Sequence, residues 1–289
     1  MASKYESPQA FRQALDEGLR KEHFRSGIPQ DTLRKKVLIE RLLARLFARA
    51  DAPWLLKGGY AFELRFRPRA RTTRDIDLSA NVAGSLLETR LEDVREELQR
   101  AGELDLGDFL RFEIGRPTEL KGAALGGGKF PVVARLGGKE FGRSSIDVGF
   151  GDPLVGVPEE LVGHDLLEFA GLAPARVRAI PKALQFAEKV HAYTLPWTDR
   201  VNTRVKDLVD LLILIERGAL DADELRTALR ATFESRRRQE LPQVLPPPPR
   251  QWREEFHFLA TETSITATEL GAAFERLAQY WNQLMRPTG

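Results

Sequence analysis

The chain contains no cysteine, and only four of its 289 residues are histidine. Missing thiols exclude a disulfide-stapled secreted fold, a thiolate zinc site, an iron–sulfur cluster and a cysteine nucleophile. His23, His164, His191 and His257 show no metal-ligand spacing with one another, so all four are expected to be structural or at the surface. No apolar run reaches the roughly 18 residues that a membrane-spanning helix needs. The stretch MASKYESPQAFRQ lacks an apolar signal core, so the cytoplasm is the expected compartment. A Gly-x-Ser-x-Gly elbow, a P-loop and a dinucleotide fingerprint are also missing. Gly126-Gly127-Gly128 instead belongs to a glycine-rich stretch, Lys121 to Lys129, that reads as a mobile loop.

The composition that remains is that of a globular protein, 42% hydrophobic and 30% charged. The formal net charge of +2 hides an uneven distribution. The first fifty residues carry 11 basic and 6 acidic side chains. They read as helical, with Leu38, Leu42, Leu43 and Leu46 at helical spacing and Arg34, Lys35, Lys36, Arg41, Arg45 and Arg49 between them. That basic face is either a solvated helix surface or a nucleic-acid footprint.

The order of elements predicts fold class. Trp54-Leu55-Leu56 reads as a strand, Tyr60 to Phe66 as a helix, Asp75 to Leu78 as a strand and Leu86 to Arg100 as an amphipathic helix. Residues 109–115, 130–136 and 145–150 follow as strands. The mixture predicts an α+β domain with a mainly antiparallel or mixed sheet. After Pro158 the segments 182–193, 200–217, 221–234, 251–260 and 266–285 all carry helical patterns, interrupted by the stiff run Pro246 to Pro249. The expected division is 1–158 for the first domain and 159–289 for a helical second one.

The chemistry is concentrated in carboxylates. In a strand, Asp75 and Asp77 project from one face while Ile76 points to the other. Two such charges repel unless a cation lies between them, and paired carboxylates with substrate phosphates are a usual way to hold Mg²⁺. Solvent-facing residues on an edge strand would give the same pattern. Asp147, between Ile146 and Val148, sits in another alternating strand. If the two strands are neighbours, three carboxylates meet. They could hold two ions, or one ion with Asp147 as the base toward an attacking hydroxyl. Gly58-Gly59, between a strand and a helix, would let an anion approach free backbone N–H groups. Arg65, Arg67, Arg69, Arg71 and Arg74 are contributed by the following loop and would face more negative charge. In the helical part, Asp207 and Asp210 share a face and could pair with Lys189.

These segments resemble a known family. Leu56-Lys57-Gly58-Gly59-Tyr60-Ala61-Phe62-Glu63-Leu64 and Arg71-Thr72-Thr73-Arg74-Asp75-Ile76-Asp77-Leu78, then Ile146-Asp147-Val148, Ala187-Glu188-Lys189 and Arg204-x-Lys206-Asp207-x-x-Asp210, resemble in order the AbiEii/AbiGii-type nucleotidyltransferase toxins, which include the MenT toxins. The resemblance covers about residues 35–215. It implies a polymerase-β-like nucleotidyltransferase domain with an all-helical C-terminal domain. It also implies Mg²⁺-dependent transfer of a nucleoside monophosphate from an NTP, with pyrophosphate leaving. Carried over, Gly58 and Gly59, with Lys57 and Arg71, would hold the triphosphate, and Asp75 and Asp77 the metal. Lys189 would contact nucleotide phosphates. Asp207 would be the catalytic acidic residue of the helical part, with Asp210 as the alternative. Relatives act beside an antitoxin, and some modify the tRNA 3′ end. Tyr60 departs from the serine or threonine common after the two glycines. Competing expectations are transfer to a small antibiotic-like molecule or to a protein, and a non-catalytic module that only binds a partner.

Overall fold

The computed structural model describes residues 4–67, 70, 73, 75–80, 87–120, 126–196 and 202–286. Contacts divide the chain into two compact units. The first comprises Met1–Tyr60, Arg74–Gly151 and Glu160–Ala179; the second comprises Ala61–Thr73, Asp152–Glu159 and Ile180–Gly289. The division therefore does not fall at a single point of the chain.

The first unit is built on a mixed sheet. Its strands are β1 (Trp54–Lys57), β2 (Ile76–Ala80), β3 (Leu110–Ile114), β4 (Thr118–Glu119), β5 (Gly127–Leu136), β6 (Lys139–Phe150), β7 (Glu159–Val162) and β8 (Arg176–Ala179). Their order is β3-β5-β6-β2-β1-β8-β7, with β4 attached to β5. β2 runs parallel to β6 and β1 parallel to β8, while β1–β2, β3–β5, β4–β5 and β5–β6 are antiparallel. Helices α2 (Gln30–Leu46) and α4 (Leu87–Gly102) pack on the sheet, and α1 (Pro8–Ser26) packs on α2.

Alternation along the strands explains why the sheet has two unlike faces. Trp54, Leu56, Ile76, Leu78, Phe130, Ile146 and Val148 are buried, and the residues between them are less so. Phe11, Leu15, Leu38 and Leu42 extend that core into α1 and α2. Truncating fully buried Leu42 to Ala would cost about 3 kcal/mol. The start of α1 is fixed by the Ser7 side chain, which accepts from the Ala10 N–H, and by Pro8 in the first turn.

β7 and β8 are strands where the sequence pattern predicts no sheet. β5 also begins earlier than predicted: Gly127, Gly128 and Lys129 belong to the strand, not to a loop. A Cβ at Gly127 would meet the Val148 carbonyl oxygen at 2.4 Å, and one at Gly128 would meet Leu91 at 2.5 Å. These glycines are there for close packing. The predicted loop's remaining positions 121–125 lie outside the described residues.

In the second unit the elements from residue 180 onward are helical among the described residues. They are α5 (Lys182–Thr194), α6 (Val205–Arg217), α7 (Ala222–Arg236), α8 (Arg253–Thr263) and α9 (Leu270–Leu284), with one 3₁₀ turn at Arg250–Trp252. Their apolar faces meet in a core that includes Phe186, Val190, Leu208, Leu212, Leu229, Phe256 and Trp281. No helix among the described residues is long and apolar enough to cross a membrane.

Candidate active site

Strand register builds the first set of candidate residues. Lys57 is opposite Asp77, Asp77 beside Asp147, and Asp147 opposite Lys129. The four form one row across β1, β2, β6 and β5. The alternation that buries Ile76, Leu78, Ile146 and Val148 turns this row to the opposite face. Neighbouring strands lie about 4.8 Å apart, so the two aspartates are adjacent. Asp75 precedes β2 and is exposed.

Charge along the row is balanced from its ends. The Lys129 ammonium donates to both oxygens of Asp147, at 3.0 and 3.3 Å. Partial burial works against the charged lysine. The bond to Asp147 and the fields of Asp147, Asp75 and Asp77 outweigh it and hold the ammonium above its ordinary pKa. Lys129 is the residue that the sequence pattern missed, because the neighbouring glycines read as a loop. The only available signal was its place one residue before Phe130 in an alternating run.

Gly58 and Gly59 open α3 (Gly58–Phe66) directly after β1. Gly58 has φ +63°, and a Cβ there would stand 2.0 Å from Asp77 Oδ2. Only glycine allows this turn and this carboxylate together. Asp77 is thus held against the first residue of the helix. Tyr60, in the same turn, is fully buried and donates to Glu40 Oε1 at 2.5 Å. Its hydroxyl is committed to the interior and cannot take the place of an exposed serine.

The second set lies on α5 and α6. Lys189 Nζ is 2.8 Å from Asp207 Oδ1 and 2.7 Å from Asp210 Oδ2. The three side chains are 12%, 9% and 0% exposed. The expected pairing is present, and it engages both aspartates rather than one. Arg204 Nη1 approaches Asp207 Oδ2 at 3.7 Å. His191, on the same helix as Lys189, is buried against the Phe233 ring. Burial, with Arg236 and Arg238 nearby and Asp152 opposing them, pushes its pKa down to about 4. It is neutral and structural.

Two expectations about basic residues are corrected. Arg65 does not face a ligand in the arginine loop. It is almost wholly buried, paired with Glu159 at 3.0 Å, and also donates to the Gln185 side chain and the Ile180 carbonyl. Arg69, Arg71 and Arg74 lie outside the described residues. In the N-terminal helices, Arg41 and Arg45 are buried on Asp108, at 2.7 and 2.6 Å. Arg20, Arg25 and Arg34 pair with Glu17, Glu22 and Asp16. The last three acids are among the six already counted, so of the acids named only Asp108, from outside the first fifty residues, reduces the local excess.

Among the described residues no three His, Asp or Glu side chains are grouped as ligands of a metal ion. The donor set of Asp75 and Asp77 is nonetheless all oxygen and suits a hard divalent cation completed by water and phosphate oxygens.

Comparison with known proteins places this geometry. The sequence model described as "Nucleotidyl transferase AbiEii toxin, Type IV TA system" matches residues 41–288. Among solved structures the chain is similar to MenT4, a nucleotidyltransferase toxin from Mycobacterium tuberculosis. The TM-score is 0.57 at 16% identity, over 90% of this chain and 86% of that one. JHP933 from Helicobacter pylori is also similar, with a TM-score of 0.45 at 14% identity over 89% and 95% of the two chains. No curated protein sequence matches. The family match spans both the Asp-x-Asp strand and the lysine–aspartate helices: the chain belongs to the AbiEii nucleotidyltransferase toxin family, and is a nucleotidyltransferase.

Proposed function

We propose that the protein transfers a nucleoside monophosphate from an NTP to an RNA, with the 3′ end of tRNA as acceptor, in a Mg²⁺-dependent reaction restrained in the cell by an antitoxin protein. The observation that carries this reading is the placement of Asp77 beside Asp147, with Asp77 pressed on the glycine turn that starts α3. A carboxylate pair next to a helix start accommodates a cation and a polyphosphate side by side.

Asp75 and Asp77 would hold the ion. Mg²⁺ bound there would offset charge on the triphosphate and make an attacking hydroxyl more acidic. Gly58 and Gly59 leave the backbone open to phosphate oxygens, and Lys57 adds a cation at the row's end. The RNA 3′-oxygen bonds to the α-phosphorus as the bond to the β-phosphate oxygen breaks, releasing pyrophosphate. Asp147 either joins the ligands or takes the hydroxyl proton. Lys189 serves the nucleotide phosphates, and Asp207, with Asp210 behind it, sets that lysine.

The test is incubation with Mg²⁺, each α-labelled NTP in turn, and total tRNA. Label on tRNA is expected with at least one nucleotide. Failure with all four, from folded protein that binds NTP, overturns the RNA acceptor. Label on an aminoglycoside or on protein side chains would redirect the acceptor and keep the chemistry.

A further inference from the structure

We infer that Lys129 is a positioning residue that occupies the place of a second cation beside Asp147, so that the site takes one divalent ion per chain and Asp147 stays outside its ligand set. The inference rests on the proposed metal-dependent reaction and refines it.

Three observations carry it. First, the lysine is built into the row. Lys129 and Asp147 are register partners across β5 and β6, directly in line with Asp77. Strand geometry, not a chance side-chain reach, brings the ammonium there. Second, the contact uses both carboxylate oxygens, at 3.0 and 3.3 Å. A divalent ion binding Asp147 would have to displace a cation already in hydrogen-bonding contact with each oxygen. Third, the same ammonium lies within the fields of Asp75 and Asp77. It is a shared counter-charge for all three carboxylates, as a second metal ion would be.

Charge counting agrees. Three carboxylates with the ammonium groups of Lys57 and Lys129 leave one uncompensated negative charge. A single divalent ion more than balances it and leaves the site ready for an anionic triphosphate. A second ion would have to enter a patch that is already positive. Of the two roles open to Asp147, ligand or base, this arrangement disfavours the ligand. A lysine at its side keeps the carboxylate oriented without consuming it as a metal ligand.

The experiment counts bound Mn²⁺, used alone as the probe, by the loss of the free-ion electron paramagnetic resonance signal. The proteins are the full chain, Lys129→Met, Lys129→Arg, and Lys129→Met combined with Asp147→Asn. Thermal melts establish that each variant is folded. One equivalent is expected for the parent. A second equivalent, at least tenfold tighter than any second binding by the parent, is expected for Lys129→Met. Lys129→Arg keeps one, because the charge is kept, and the double variant returns to one. Two equivalents in the parent, or one in Lys129→Met, overturns the role of Lys129 while leaving metal dependence intact. No Mn²⁺ bound by the parent overturns the metal-dependent reading itself. Should Lys129→Met fail to fold, Lys129→Gln replaces it under the same expectations.

Discussion

An ammonium group set against aspartates occurs twice in this molecule, in two environments. On the helices, Lys189 with Asp207 and Asp210 is nearly sealed from water. On the sheet, Lys129 and Asp147 are 44% and 24% exposed. Burial makes the helical cluster costly to disturb, since removing one charge leaves the others less well compensated in a poor solvent. The sheet row is reached by water, so each pair contributes little to stability by itself. The comparison teaches that identical residue types can act as a buried brace in one region and line a water-reached site in another.

Substitutions at the two places should therefore separate activity from stability. Asp77→Ala should lower label transfer by about 1000-fold or more, roughly 4 kcal/mol of transition-state stabilisation. Its melting temperature should stay within a few degrees of the parent's. A large loss of stability would instead make the row structural, like the helical cluster. Asp210→Ala removes a fully buried partner of Lys189 and should cost about 3 kcal/mol in urea unfolding, the low end for a broken buried pair because Asp207 remains. A cost under 1 kcal/mol would show that the helical cluster is no brace.

The helical side should also carry an acid-sensitive limb. Folded His191 titrates near 4, below the ordinary value of 6.5. The unfolded chain then binds the extra proton first as pH falls, so stability is complete above about 6.5 and declines toward 4. Between pH 7 and pH 5 the loss should be about 2 kcal/mol, and His191→Gln should flatten it. An unchanged slope in that variant would assign the acid limb to other groups. Smallest is Gly58→Ala, where strain at φ +63° and the contact with Asp77 should cost about 1–2 kcal/mol. Here activity should fall more than stability, since the carboxylate must move. Equal losses would place this turn with the braces.

The two aspartates of the sheet row are legible in the sequence. Alternation around Asp75, Asp77 and Asp147 predicts their shared face, and the i, i+3 spacing of Asp207 and Asp210 predicts a pairing with Lys189. What was hidden depends on distant partners. β8 is only four residues long and takes its place from parallel pairing with β1, more than a hundred residues earlier in the chain. Lys129 was hidden because glycine signals a loop by composition and a close approach only in context. Arg41, Arg45 and Arg65 show the limit of charge counting. Their partners Asp108 and Glu159 lie far away in sequence, so a basic run that reads as a surface became internal wiring.

Tyr60 carries a consequence for how this chain can change over time. Its hydroxyl meets Glu40, and Glu40 Oε2 in turn lies where a side chain on Gly163 would begin, 1.9 Å from the Cβ position. Three positions far apart in the sequence are thus locked into one combination. Serine at position 60 alone would take the tyrosine donor from a buried carboxylate and open a cavity where the ring had been. Any larger residue at 163 would collide with that carboxylate. A change at any one of positions 40, 60 and 163 therefore bears on the other two.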